Sequence, residues 1–126
     1  MTQTAALRIL LVEDEAIIAV LLAEVLEGMG YEVCAIEATE EDAVATAFRC
    51  RPDLMIVDVR LGDGSGVSAV EKILRAGPVP HLFVSGDPSK VQALRPDAVV
   101  MQKPFREADL ALAIQRALGA VASLPQ

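Results

Sequence analysis

At 126 residues with 53% hydrophobic side chains, the chain has the size and composition of one compact domain with one core. Its 11 basic and 18 acidic residues leave a net charge of −7 with no Lys/Arg stripe, which excludes direct nucleic-acid binding as its main role. No stretch has the length of a membrane span, and Met1-Thr2-Gln3-Thr4 lacks the basic-then-apolar pattern of a leader, so a cytoplasmic protein is expected.

In chain order, Ile9 to Val12 is a short uninterrupted apolar run, as in a strand buried on both faces of a parallel sheet. Ile17, Ile18, Leu21, Leu22, Val25, Leu26 and Met29 then recur at helical spacing, predicting a first helix with that stripe inward, closed by Gly30. Tyr31 to Ile36 places Glu32 among Val33, Cys34 and Ile36, which suits an edge strand with one wetter face. Val44, Ala47 and Phe48 mark a second helix, Leu54 to Val57 a central strand, and Val67, Val70, Ile73 and Leu74 a third helix. Leu82 to Val84 reads as another central strand, and Pro88 to Leu94 as a weak helix. Ala98 to Met101 reads as the last central strand, and Leu110, Ile114, Ala117, Leu118 and Val121 as the last helix. The tail Ser123-Leu124-Pro125-Gln126 reads as frayed. Cys34 and Cys50 match no metal-ligand spacing and read as structural.

Five alternations of strand and helix with short connections predict an α/β fold, a doubly wound five-stranded parallel sheet covered on both faces. One domain over 1–126, with its core at about 6–122 and no output domain, is expected.

Sites in open parallel sheets form beyond the carboxyl ends of the strands, and here those ends are polar. Glu13 and Asp14 follow the first strand, Asp58 the third, Ser85 the fourth, and Lys103 comes just past the fifth. Three carboxylates on neighbouring ends repel one another unless a cation joins them, and an oxygen-only set suits magnesium. Glu13, Asp14 and Asp58 with one divalent ion and Lys103 are neutral before any phosphoryl group arrives. Bare carboxylates also repel an anion, so phosphate has to come through the metal. Asp58 can then act as the nucleophile toward phosphorus, with Lys103 meeting developing charge and the Ser85 hydroxyl donating to a phosphoryl oxygen.

Each residue has a plainer reading. Asp14 is an equally good N-cap for the first helix, Ser85 before Gly86 suits a turn, and Lys103 before Pro104 suits a solvated loop. Asp58 is harder to explain structurally, because a carboxylate closing an apolar run carries a desolvation cost.

Leu10-Leu11-Val12-Glu13-Asp14-Glu15, Ile56-Val57-Asp58, Phe83-Val84-Ser85-Gly86 and Lys103-Pro104-Phe105, in this order and spacing, resemble the receiver domains of two-component response regulators. The resemblance covers nearly the whole chain. It implies a flavodoxin-like (CheY-like) fold with strand order 2-1-3-4-5 and five helices. Asp58 is then the phosphoacceptor, Glu13 and Asp14 the acidic pair, Ser85 the switch hydroxyl and Lys103 the phosphate contact. Arg60 completes a Mg2+ site through its backbone carbonyl, and the Lys103-Pro104 bond is cis. The implied partners are a sensor histidine kinase or histidine phosphotransfer protein and a downstream protein target. The implied chemistry is only the domain's own phosphorylation and dephosphorylation, its rate tuned at Arg60 and Asp87.

Pro80-His81-Leu82-Phe83-Val84-Ser85-Gly86 is also similar to the fourth-strand motif of a subgroup of single-domain receivers, although Asp87-Pro88 departs from it. His81, at the start of that strand, has no catalytic role. Where receivers commonly carry an aromatic residue three before the lysine, this chain has Val100, which shifts expected output to the loop from Gly86 to Lys90. The alternative is a degenerate receiver, a phosphate-independent protein-binding module. A phosphatase of the haloacid dehalogenase kind would need a second aspartate two after Asp58, where Arg60 stands, and a flavin site would need donors where Glu13 to Ala16 is acidic.

Overall fold

The computed structural model describes residues 6–122, with side chains to residue 119. Met1–Thr4, the inward placing of Val121 and the tail Ser123–Gln126 therefore lie outside the described residues. The elements are β1 (Arg8–Val12), α1 (Ala16–Gly28), β2 (Glu32–Glu37), α2 (Glu40–Cys50), β3 (Leu54–Asp58), β4 (Arg60–Leu61), β5 (Gly64–Ser65), α3 (Gly66–Leu74), β6 (His81–Ser85), α4 (Pro88–Leu94), β7 (Val100–Gln102) and α5 (Glu107–Ala122).

Five strands form one parallel sheet in the order β2-β1-β3-β6-β7, the expected 2-1-3-4-5, with five helices around it. The short strands β4 and β5 form a separate antiparallel hairpin that no apolar run announced. Alternation along the buried strands builds two cores. Ile9, Leu11, Leu54, Ile56, Leu82 and Val84 pack under α1 and α5. Leu10, Val12, Met55, Val57 and Phe83 pack under α2, α3 and α4. Each of these large side chains taken fully out of water contributes roughly 1.5–3 kcal/mol. β2 keeps step with β1 through one extra residue: Ile9 faces Val33 and Leu10 faces Ala35, with Cys34 unpaired at the bulge and its thiol donating to the Ile9 carbonyl at 3.4 Å.

Three expectations need correction. The inward face of α1 is Ala19, Leu22, Ala23 and Leu26, whereas Ile17, Val20 and Leu21 are 77%, 52% and 57% exposed. The segment is apolar on every side, so periodicity alone does not choose the face, and the two alanines allow the closest approach to the sheet. Phe48 is likewise exposed, and α2 turns Ala43, Thr46 and Ala47 inward. The run Ala98 to Met101 is not central: β7 starts at Val100, closes one edge of the sheet and buries only Met101.

The remaining helices follow their patterns. α1 ends with Gly30 at φ 98°, its amide bonded to the Glu27 carbonyl and that of Tyr31 to Leu26, the left-handed cap that glycine adopts without strain. Thr39 caps α2 through its hydroxyl on the Asp42 amide at 3.1 Å. α3 buries Val67, Val70 and Ile73, and α5 buries Leu110, Ile114 and Ala117. α4 forms as one short helix that buries only Val91.

Candidate functional site

β1, β3 and β6 end side by side, and all six candidate residues line one cleft of about 780 Å3 at those ends. Glu13, Asp58 and Ser85 are buried, while Lys103 is 36% exposed. Lys103 reaches back over the sheet edge to an ion pair with Asp58 Oδ2, and its Nζ lies 4.0 Å from Glu13 Oε1. The solvated-loop reading of Lys103 therefore fails. Burial works against its charge, but the hydrogen bond and charge of Asp58 outweigh it and raise the ammonium pKa. The cis peptide precedes Pro104, as the resemblance implied.

Glu13 carries the opposite perturbation. Its burial pushes the carboxyl up to about 7, against the relief offered by the Glu15 amide, which donates to Oε2 at 3.1 Å. Such a group favours any arrangement that adds positive charge beside it.

Asp14 does not cap α1, whose N-cap is Glu15 without a side-chain bond. Its Oδ2 instead accepts the Gly62 amide at 3.0 Å, joining the end of β1 to the β4–β5 hairpin. Asp58 Oδ1 accepts the Arg60 amide at 2.9 Å. Ser85 does serve a turn, accepting the Asp87 amide at 3.0 Å, but that bond uses an oxygen lone pair and leaves the hydroxyl hydrogen for another acceptor. His81 lies at the opposite end of β6, stacked edge-on against Phe83 with Arg95 beside both rings.

Among the described residues no group of three His, Cys, Asp or Glu side chains is close enough together to enclose a metal ion. The donor chemistry still fits a hard cation of the magnesium type, which binds one or two carboxylates and fills its other positions with water. Glu13, Asp14, Asp58 and the residue Arg60, whose main chain offers a further oxygen, all line the cleft and supply oxygen donors, and Lys103 pairs with Asp58 among them.

The glycines after Asp58 were not recognised as part of the site. A Cβ at Gly66 would stand 2.1 Å from the Asp58 carbonyl oxygen and 2.7 Å from Val57 Cγ1, so only glycine lets α3 start against the end of β3. Gly62 has φ 56° in the hairpin turn. The signal was available in Leu61-Gly62-Asp63-Gly64-Ser65-Gly66, three glycines in six residues directly after the nucleophile candidate.

An open doubly wound sheet with a buried aspartate, an acidic pair and a lysine at its carboxyl edge is the architecture of a receiver-type signalling domain. The chain belongs to the response regulator receiver domain family, whose pattern matches residues 9–115. It is 37% identical over 117 residues to the phyllosphere-induced regulator PhyR of Methylorubrum extorquens, covering 90% of this chain and 44% of that protein. It is 36% identical over 116 residues to the transcriptional regulatory protein PdtaR of Mycobacterium tuberculosis, covering 88% of this chain and 56% of that protein. The chain thus spans about half the length of these curated relatives. The solution structure of the receiver domain of Erythrobacter litoralis PhyR superposes with a TM-score of 0.85 at 29% identity, covering 97% of this chain and 96% of that one. Among the described residues no helix is long and apolar enough to cross a membrane.

Proposed function

We propose that this receiver accepts a phosphoryl group on Asp58 from a phosphohistidine of a sensor kinase or histidine phosphotransfer protein, in a Mg2+-dependent reaction in the cytoplasm, and signals by protein–protein contact or phosphorelay. The observation that carries this reading is the buried Asp58 carboxylate, held by Lys103 and the Arg60 amide at the floor of an acidic cleft.

A carboxylate oxygen of Asp58 forms the new P–O bond as the donor's P–N bond breaks, and the imidazole departs with the electron pair. Lys103 balances charge gathering on the phosphoryl oxygens, and the Ser85 hydrogen is free to donate to one of them. Glu13, Asp14, Asp58 and the Arg60 carbonyl would hold Mg2+, which would supply the remaining neutralisation. The reaction modifies only the domain itself. Transfer of Ser85 and Lys103 to the phosphoryl group then biases the surface around α4 and β7 between two arrangements. Arg60 and Asp87 flank the cleft, where they tune hydrolysis of the acyl phosphate.

The exposed apolar face of α1 supports docking of the phosphodonor there. Ile17, Val20 and Leu21 are exposed on the helix that follows Glu15 of the cleft, and an exposed apolar face near a reacting site is suited to docking a partner. Leu21→Asp should slow transfer from a cognate phosphohistidine donor by about tenfold and leave labelling by acetyl phosphate unchanged. Equal slowing with both donors would refute docking there.

The reading is tested by intact mass after incubation with Mg2+ and acetyl phosphate. Wild type should gain one phosphoryl group, lost on adding chelator, and Asp58→Asn none. No gain from acetyl phosphate or from a panel of phosphorylated kinases would leave the phosphate-independent binding module as the function.

A further inference from the structure

Glu40 lies outside the acidic cleft, on the first turn of α2, yet three elements meet at its carboxylate. Oε1 accepts the Ser65 amide at 3.1 Å, and Oε2 accepts the Ser68 hydroxyl at 2.6 Å and the Lys72 ammonium at 2.6 Å. The side chain is only 11% exposed, and these bonds hold its carboxyl down to about 2, led by that from Lys72. Ser65 ends the hairpin and also caps α3, its hydroxyl accepting the Ser68 amide at 3.3 Å. At Gly64 a Cβ would stand 3.2 Å from Glu40 Cβ and 3.3 Å from Oε1, so a residue without a side chain lets the strand lie this close.

An acidic first turn also favours α2 through the helix dipole, but Glu41 and Asp42 supply that charge equally. Among the described residues neither of their side chains bonds to the hairpin or to α3. Glu40 therefore has a separate task.

Three carboxylates hold the hairpin by its amides: Asp58 at Arg60, Asp14 at Gly62 and Glu40 at Ser65. Asp58 and Asp14 are groups that a phosphoryl transfer and a cation also draw on, so their grip on the hairpin competes with the chemistry. Glu40 stands outside that competition. We propose that Glu40 is a positioning residue for the cation site, fixing the hairpin that carries the Arg60 carbonyl while Asp14 and Asp58 are engaged. This role rests on the Mg2+-dependent receiver reading.

The test follows backbone amides of the 15N-labelled protein, first in hydrogen exchange without metal and then in a MgCl2 titration. In Glu40→Ala the Ser65 amide should exchange about tenfold faster at unchanged global protection, and the Mg2+ midpoint should rise about tenfold. Glu40→Gln, which keeps an oxygen toward Ser65, should restore most of the Mg2+ affinity. Lys72→Met should lower the melting temperature but keep the wild-type midpoint, which separates positioning from simple stabilisation. Gly64→Ala, which pushes the strand off an intact Glu40, should raise the midpoint even where Glu40→Ala fails to fold. Unchanged Ser65 exchange in Glu40→Ala, or a midpoint in Lys72→Met raised as far as in Glu40→Ala, overturns the role alone. Wild-type shifts indifferent to Mg2+ overturn the receiver reading and this role with it.

Discussion

The loops on either side of Asp58 are built on opposite principles. The loop after β3 is a hairpin tied to other elements at two amides, by Asp14 and Glu40, bonded locally to Asp58, and closed by a glycine packed against the Asp58 carbonyl. The loop after β6 runs into a single short helix with one buried residue, and its polar bonds are local: Ser85 to the Asp87 amide, Ser89 to Asp87 at 2.7 Å, and an exposed Lys90–Asp87 pair at 4.0 Å. Bonds within a segment cost little to carry along when it moves, whereas bonds between segments must break. One side of the site is therefore suited to holding a geometry for chemistry and the other to changing shape afterwards.

The largest effect expected from breaking this contrast is at Gly66. Alanine there drives a methyl group into the Asp58 backbone, and Gly66→Ala should destabilise the fold by about 3 kcal/mol or more, read by urea unfolding, with loss of phosphoryl labelling in the fraction that remains folded. Acid should act on the same loop more gently. The folded-state value of Glu40, about 2, lies below its ordinary 4.5. Its contribution to stability is thus complete above about pH 4.5 and lost as pH falls toward 2. The stability gap between wild type and Glu40→Gln should accordingly be constant from pH 5 to 7 and shrink in acid; a gap that widens in acid would contradict the assigned bonds. The smallest effect belongs to the loop after β6. Nothing lies within 4 Å of a Cβ built at Gly86, so Gly86→Ala should change stability by less than about 0.5 kcal/mol. An altered phosphorylation-dependent partner affinity in that variant would show that backbone freedom at Gly86 is used in the switch.

The same contrast separates what was legible in the sequence from what was not. β1, β3 and β6 were readable because strands buried on both faces leave uninterrupted apolar runs. Once the strands are placed, the topology puts Glu13, Asp58 and Ser85 side by side, so most of the site followed from counting to the strand ends. The strands of the hairpin left no periodicity, being two residues each, and only its glycines marked a turn. Glu40 was hidden for another reason. It sits in Glu40-Glu41-Asp42, which reads as a solvated helix start, and its partners lie 25 to 32 residues further on. In α1 the composition carried too much of one signal, because a helix apolar all round does not say which side is free.

The bulge at Cys34 gives the edge strand a parity that a simple alternation would lack. Because Cys34 and Ala35 both turn toward the α2 side, Ile36 falls on the α1 side and Glu37 opposite it, where Glu37 accepts the buried Thr46 hydroxyl. Deleting Cys34 would leave every later residue on its present face, whereas keeping it in a straight strand without the bulge would exchange the two surfaces for every residue after it. Glu37 would be carried away from Thr46, and the apolar Ile36 would be set against α2 in its place. A single bulge thus decides which layer of the domain receives a carboxylate.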